Sequence, residues 1–264
     1  MSTQYDRIAH QYELINNLPH LKVCVSTTRR TLGNVTGLQI LDLACGTGYH
    51  SNLLLDWGAA SVTGIDISPG MIEAAKAKLT KGPYGSDRLK YHVGDATDPN
   101  LLRNAGLSDK KFDLVHGAWL LNYAASDSSL TAMWRNIASA LKPGGRFVGL
   151  VPNILDAEFG FEKPFQVEKY GAIYEAIGKV EGGWKVRVIG LTDPEPRVEF
   201  ECLILNAKDG EGRSLYERCA AEAGMREVKF VSVGPGEEEL GEYEEGFWEE
   251  YVRRPYALVC IAVR

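Results

Sequence analysis

Short apolar runs alternate with amphipathic stretches through the first three fifths of the chain. Leu38–Leu43, Ser61–Asp66, Leu89–Gly94, Phe112–Ala118 and Arg146–Val151 have the length and apolar continuity of strands buried on both faces. Between them, apolar positions recur at helical spacing over Tyr49–Trp57, Gly70–Leu79 and Ser129–Leu141. Ser68-Pro69 reads as a cap with proline near the first helical position, and Lys142-Pro143-Gly144-Gly145 as a stop. Strand and helix in strict alternation predict right-handed βαβ units and a mostly parallel sheet with helices on both faces.

The rhythm changes after Pro152. Trp184–Gly190 and Arg197–Leu205 alternate and read as an antiparallel pair, followed by a helix at Leu215–Ala223. Strands at Val228–Val233 and Tyr256–Val263 suggest a hairpin-type ending, so the final strand should run antiparallel to the rest. Met1–Thr31 reads as helical. The expectation is one α/β domain over residues 1–264, with a seven-stranded sheet, a helical amino-terminal lid (1–31) and a small antiparallel cap insertion (153–206).

Composition narrows the partners. The 264 residues are 45% hydrophobic and 24% charged, and the formal net charge is −6. An acidic chain is a poor match for nucleic-acid phosphates. Its densest charge run, Glu237–Glu239 with Glu242, Glu244 and Glu245, reads as a solvated loop. The five cysteines (Cys24, Cys45, Cys202, Cys219, Cys260) show no C-x-x-C spacing, which suits a reducing compartment. His10, His20, His50 and His92 lack ligand spacing, so no metal is expected. The start of the chain is polar, and no apolar run approaches the ~20 residues that span a bilayer. A cytoplasmic monomer or homodimer acting on a small molecule, without nucleic acid or membrane, is the resulting expectation.

The chemistry lies at the strand ends, where open α/β sheets bind ligands. The first strand runs into Leu41-Asp42-Leu43-Ala44-Cys45-Gly46-Thr47-Gly48. Two glycines are available there, not the three of a dinucleotide fingerprint, and no G-K-[ST] follows. Asp42 would repel a diphosphate but welcome an ammonium group. Asp66, ending the second strand, can accept both hydroxyls of a ribose, and Asp95, ending the third, can pair with an adenine amine. Together they describe a ligand with an amino group, a ribose and an adenine, as in S-adenosylmethionine.

The ordered set L-D-L-A-C-G-T-G, G-I-D-I-S-P-G-M-I, G-D-A, F-D-L-V and L-K-P-G-G-R-F resembles class I S-adenosylmethionine-dependent methyltransferases, whose fold is Rossmann-like, over about Leu38 to Val151. The resemblance implies that Ala44, Gly46 and Gly48 follow the methionine part of the cofactor. Asp66 would bind its ribose, Ile67 and Met71 would flank the adenine, and Asp95 and Ala96 would meet the adenine edge. His116, Gly117 and Ala118 would line the sulfonium side. Tyr5-Asp6-Arg7-Ile8-Ala9-His10-Gln11-Tyr12 resembles the lid segment of such enzymes, with a tyrosine closing over the cofactor. More narrowly, Ala118–Ala124 and Gly246-Phe247-Trp248 resemble toxoflavin-type azapteridine N-methyltransferases.

The implied reaction is methyl transfer to a nitrogen or oxygen of a small aromatic or heteroaromatic metabolite. A hydroxyl acceptor would call for a base, with His116 the first candidate and Tyr12 the second. Trp119, Trp184 and Trp248 could stack on a flat substrate. Two alternatives stay open: a protein that binds the cofactor without transferring methyl, and a nicotinamide-dependent reductase disfavoured by the missing third glycine.

Overall fold

The computed structural model describes residues 3–156, 168–192 and 197–264. The amino-terminal segment folds as α1 (Gln4–Ile8), a tight helical turn at Tyr12–Asn17, and α2 (Pro19–Leu32). Then β1 (Gln39–Leu43), α3 (Tyr49–Asp56), β2 (Ser61–Asp66), α4 (Pro69–Leu79) and β3 (Leu89–Val93) alternate. They are followed by α5 (Leu101–Asn104), β4 (Phe112–His116), α6 (Asp127–Ala140) and β5 (Leu141–Pro152). Next come β6 (Ala172–Val180), β7 (Gly183–Gly190) and β8 (Val198–Leu205). The chain closes with α7 (Leu215–Glu222), β9 (Arg226–Ser232), α8 (Glu237–Glu242), α9 (Glu249–Arg253) and β10 (Ala257–Val263).

The main sheet has the order β3-β2-β1-β4-β5-β10-β9. Neighbours from β3 to β5 pair in parallel, and β10 runs antiparallel to both β5 and β9. Ile40, Leu41, Phe112, Leu114, Phe147 and Val148 are wholly buried, because helices cover both faces of the sheet. Right-handed crossovers require this: α3 and α4 link strands stepping one way from β1, and α6 links strands stepping the other. The order reverses between β1 and β4. Crossovers depart in opposite directions there and leave a crevice beyond the strand carboxyl ends.

Local signals set the boundaries. The Ser68 hydroxyl accepts the Met71 N–H at 3.1 Å and Pro69 opens α4, as the sequence predicts. Three features depart from expectation. The cap sheet has three strands, in the order β6-β7-β8, and not two. The pairing of β6 shifts between Ala176 and Gly178, a bulge that breaks the alternation by which a strand is read. The amino-terminal segment is not one continuous helix, since Leu18, extended at φ −68° and ψ 141°, separates the turn from α2. The acidic stretch is not a solvated loop throughout: Glu237–Glu242 form α8, whose acidic first turn suits the positive end of the helix. Glu239 is buried and accepts the Gly236 N–H at 2.7 Å and the Ser26 hydroxyl at 3.1 Å. Among the described residues no helix is long and apolar enough to cross a membrane. Met1, Ser2 and the parts of the expected cap at 157–167 and 193–196 lie outside the described residues.

Candidate active site

A cavity of about 530 Å³ occupies the crevice, walled by the ends of β1, β2 and β3, the turn after β4, and the amino-terminal segment. Its floor is formed by Ala44-Cys45-Gly46-Thr47 of the turn that ends at Gly48, in which Ala44, Gly46 and Gly48 all take positive φ (59°, 54° and 83°). The two glycines serve different ends. A Cβ built on Gly46 would meet nothing within 4 Å and would project into open space. One built on Gly48 would lie 2.1 Å from the Tyr91 hydroxyl, so Gly48 permits the close packing of α3 on the sheet.

Asp66 fixes this turn. One carboxylate oxygen accepts the Gly46 N–H at 2.8 Å and the other the Ser68 N–H at 2.9 Å. Burial raises its pKa, and these two N–H groups work against that rise. Beside it on the wall are Ile67, 47% exposed, and the buried Met71. Asp95 and Ala96 close the far side. The Asp95 carboxylate accepts the Thr97 N–H at 2.8 Å and the Thr97 hydroxyl at 2.7 Å. These residues suit S-adenosylmethionine: an oriented carboxylate for ribose hydroxyls, an apolar pair for a purine, and an open backbone turn for an amino-acid tail.

The amino-terminal segment lies over the cavity and is tied to it at three points. Asp6 accepts the Ser68 hydroxyl at 2.6 Å and the Gly70 N–H at 3.0 Å, placing a carboxylate at the start of α4. Glu13 accepts the Thr47 hydroxyl at 2.9 Å and pairs with Lys78, whose pKa burial lowers to about 8. Gln4 exchanges two hydrogen bonds with the Glu201 backbone on β8, which joins the segment to the cap. Beneath these ties Tyr5 packs edge-on against Tyr12 and Tyr123, and its hydroxyl pairs with that of Tyr123. Replacing Asp6 by alanine should therefore free α1 and speed S-adenosylmethionine dissociation about tenfold, the worth of one charge-assisted pair. The unfolding midpoint of the uncomplexed chain should stay within about 3 °C. Stopped-flow release and thermal unfolding give both quantities, and an unchanged release rate would show that α1 does not retain the ligand.

A smaller chamber adjoins the cavity on the cap side, and the two share Tyr12, Ile15, Leu21, Trp119 and Tyr123. Trp119 stands between them on a backbone with φ of 62°, rare for a bulky side chain, while its N–H donates to the Leu150 carbonyl at 2.9 Å. The cap supplies Tyr174, Val188, Phe200 and Cys202 to this chamber.

The structure thus gathers Tyr5, Tyr12, Ala44, Gly46, Asp66, Ile67, Met71, Asp95, Ala96 and Trp119 around one cavity. Other expected residues stand off its wall. Gly48 packs on Tyr91, and Gly117 packs against Phe147 and Leu120. Asp42 is buried under the turn and accepts the Ser51 hydroxyl at 2.6 Å, with burial pushing its pKa up to about 7. Trp184 lies under the Lys179 ammonium on the cap sheet, 5.3 Å from ring centre to nitrogen. Trp248 stacks on Tyr170 at 5.3 Å and donates to the Glu239 carbonyl, within a buried aromatic cluster that includes Phe247 and Tyr251. Apolar burial explains both placements: an aromatic side chain does not encode which cluster it joins.

His116 is the main correction. It is fully buried, with Nδ1 2.9 Å from the Val148 carbonyl and Nε2 3.2 Å from His50 Nδ1, so His50 and not His116 reaches the cavity wall. Burial lowers its pKa to about 4, partly offset by the Val148 carbonyl. Such an imidazole is neutral in the fold and is held in place by two ring contacts. The neutral form is favoured over the unfolded value near 6.5, so the stability it adds is present above pH 6.5 and lost as pH falls towards 4. Between pH 7.5 and 5 the loss is about 2 kcal/mol. Asp42, shifted upward, acts in the opposite sense and gains stability as pH falls below 7. Urea unfolding at the two pH values should show His116→Asn keeping about 2 kcal/mol more of its stability than wild type. Equal losses in the two proteins would show that the site titrates normally.

Several residues of the site carried no sequence signal of their own. Asp6 lies in the lid segment, but its partners Ser68 and Gly70 are over sixty residues away. Glu13, Tyr123, Phe200 and Tyr174 likewise become site residues only through tertiary packing. Hydroxyl-bearing and aromatic residues of the lid flanking a Gly-rich turn were the available hint.

Comparison with known proteins points to the same fold. Residues 40–145 match the model of a family described as a methyltransferase domain. A demethylmenaquinone methyltransferase of Symbiobacterium thermophilum is 32% identical over 154 residues, 55% of this chain and 56% of that protein. The chain thus spans little more than half the length of that relative. The O-methyltransferase resE of Aspergillus sclerotiorum is 28% identical over 228 residues, 79% of this chain and 81% of its own. A crystal structure of an S-adenosylmethionine-dependent methyltransferase from Mesorhizobium loti superimposes with a TM-score of 0.60 at 21% identity, covering 95% of this chain and all of the other. Residues 40–145 are thus similar to a methyltransferase domain, and the chain shares the fold of solved S-adenosylmethionine-dependent methyltransferases.

Proposed function

We propose that the chain transfers the methyl group of S-adenosylmethionine to an oxygen or nitrogen of a small aromatic or heteroaromatic molecule. The observation that supports this reading is the aromatic side of the 530 Å³ cavity, where Tyr5, Tyr12, Trp119 and Tyr123 stand opposite the Gly46 turn and are backed by Tyr174 and Phe200 of the cap. The names of the relatives, a methyltransferase of demethylmenaquinone and an O-methyltransferase, support a ring-bearing or oxygen acceptor.

S-adenosylmethionine would supply an activated methyl on a sulfonium, and the protein would supply alignment and exclusion of water. Asp66 would hold the ribose, Ile67 and Met71 the purine faces, Asp95 and Ala96 its edge, and the Gly46 turn the amino-acid tail. Lid residues Tyr5 and Tyr12 would shield the transfer from solvent. Burial raises the pKa of Tyr12, Tyr123 and Tyr174, so these phenols stay protonated near neutral pH and serve as donors, not bases. Among the described residues neither His116 nor a carboxylate lines the chamber, so the acceptor would bring its own lone pair or ionise easily.

Release of S-adenosylhomocysteine in the presence of phenols, quinols and ring-nitrogen heterocycles tests the proposal. Turnover with ring acceptors, and none with aliphatic amines or alcohols, is expected. Cofactor binding with turnover only on aliphatic acceptors would overturn the aromatic assignment.

A further inference from the structure

One ring on the wall of the cofactor cavity has its hydrogen placed from behind. His116 ends β4 and is fully buried, and among the described residues no carboxylate pairs with it, so it is a neutral imidazole. Its Nδ1 is 2.9 Å from the Val148 carbonyl, an atom that only accepts, so Nδ1 carries the hydrogen and Nε2 the lone pair. That lone pair faces His50 Nδ1 at 3.2 Å. His50 must therefore donate from Nδ1. Burial and the neighbouring His116 keep His50 neutral as well, which leaves its Nε2 without a hydrogen. Two histidines and one backbone carbonyl thus fix His50 as a hydrogen-bond acceptor.

The accepting nitrogen is also within reach of a ligand. The His50 ring is half-buried and lines the cavity of about 530 Å³, and no donor among the described residues bonds to Nε2. It is not sealed, in contrast to His92 Nε2, which is buried without a partner. Position in the fold selects what it meets. His50 is the second residue of α3, which starts directly after the Gly46 turn, and its partner His116 pairs with Asp42 across β1 and β4. The ring therefore stands on the β4 side of the turn, whereas Asp66 and Asp95 stand at the ends of β2 and β3, on the other side of β1. With ribose and adenine given to those two acids, the donor left for His50 is the ammonium of the amino-acid tail. Asp42, the candidate for that ammonium in the sequence, is buried under the turn and engaged by the Ser51 hydroxyl.

We propose that His50 Nε2 accepts a hydrogen bond from the α-ammonium of the cofactor's amino-acid tail, and that His116 is a positioning residue that holds His50 in the accepting tautomer. This rests on the methyltransferase reading, because the cavity is taken to hold S-adenosylmethionine. His50 transfers no proton here. The imidazole orients the tail and selects for its amino group, since a tail without one leaves Nε2 unpaired.

The full chain is titrated by calorimetry with S-adenosylhomocysteine and with the same molecule carrying hydrogen in place of its α-amino group. The wild type should prefer the aminated ligand at least tenfold, the value of one hydrogen bond to a charged group. In His50→Phe this preference should shrink about tenfold through loss of S-adenosylhomocysteine affinity, with affinity for the amino-free analogue unchanged. Long-range proton–nitrogen correlation of the histidine rings reads the tautomers directly. In the wild type His50 and His116 should both carry hydrogen on Nδ1, and the His50 Nε2 resonance should shift at saturation with S-adenosylhomocysteine but not with the analogue. In His116→Phe, which offers no lone pair, His50 should take up hydrogen on Nε2 in part of the molecules and the preference should fall with it. Hydrogen on His50 Nε2 in the wild type, a preference unchanged in His50→Phe, or an Nε2 resonance that responds only to a ring acceptor would each overturn the inference. Where a variant fails to fold, the wild-type tautomers and their response to the two ligands decide alone. Failure of the wild type to bind S-adenosylhomocysteine at all would be a different result, and would bring down the methyltransferase reading itself.

Discussion

Alanine at Gly48 is expected to destabilise the fold severely, whereas alanine at Gly46, two residues away, should leave stability nearly intact and narrow the cavity. The contrast follows from what each missing Cβ would meet. At Gly48 the new carbon would lie 2.1 Å from the Tyr91 hydroxyl and 2.8 Å from the carbon that bears it, on a backbone with φ of 83°. Tyr91 is 5% exposed on β3, so the ring has little room to retreat without lifting α3 from the sheet. A steric conflict of this kind combined with left-handed backbone strain places the loss at about 3–5 kcal/mol, a large part of a typical domain's stability. At Gly46 only the backbone strain of about 1 kcal/mol applies, because the carbon would enter open space. That space is where the amino-acid tail of the cofactor would run. Thermal unfolding should drop by ten degrees or more for Gly48→Ala and by about 2–4 °C for Gly46→Ala. Calorimetry should find ligand affinity reduced at least tenfold in the second. Comparable stability losses in both would contradict the division of labour.

Asp66→Ala should have the larger effect on binding. The carboxylate orients the Gly46 and Ser68 N–H groups, which bracket the turn and the start of α4, and its remaining lone pairs face the cavity. Removal would take away the two charge-assisted hydrogen bonds proposed to the ribose and loosen the turn beside it. Charge-assisted bonds contribute about 1.5–3 kcal/mol each, so affinity for S-adenosylmethionine should fall at least a hundredfold. Stability should change less. Burial raises the pKa of Asp66, and Asp6 adds like charge nearby, so loss of a carboxylate relieves part of what it removes. Asp66→Asn is the informative partner: it keeps one acceptor oxygen and should recover part of the affinity. If Asp66→Ala bound the ligand as well as wild type, the ribose assignment would be wrong.

The cofactor half was legible because its signals are local. A turn rich in small residues must follow a strand, and acids at successive strand ends must meet at the switch point once the sheet is parallel, so Gly46, Asp66 and Asp95 converge without further information. His116 misled for a geometric reason. It pairs beside Asp42 in the last register position of β4, two residues short of Ala118, where the crevice begins. Alternation along a strand decides such matters, and strand ends are uncertain by a residue or two. Tryptophans told less still. Trp119, Trp184 and Trp248 are alike as apolar side chains, and only tertiary packing sends the first to the cavity and the others to the cap sheet and a buried cluster. The ties made by Asp6 and Glu13 join residues far apart in the chain.

The central claim, that the crevice is an S-adenosylmethionine site, is tested most directly by calorimetric titration of the full chain with that ligand, with NADH as the comparison. One molecule should bind per chain in the micromolar range, about −8 kcal/mol, with no heat from NADH. Absence of binding at millimolar S-adenosylmethionine, or tighter binding of NADH, would contradict it.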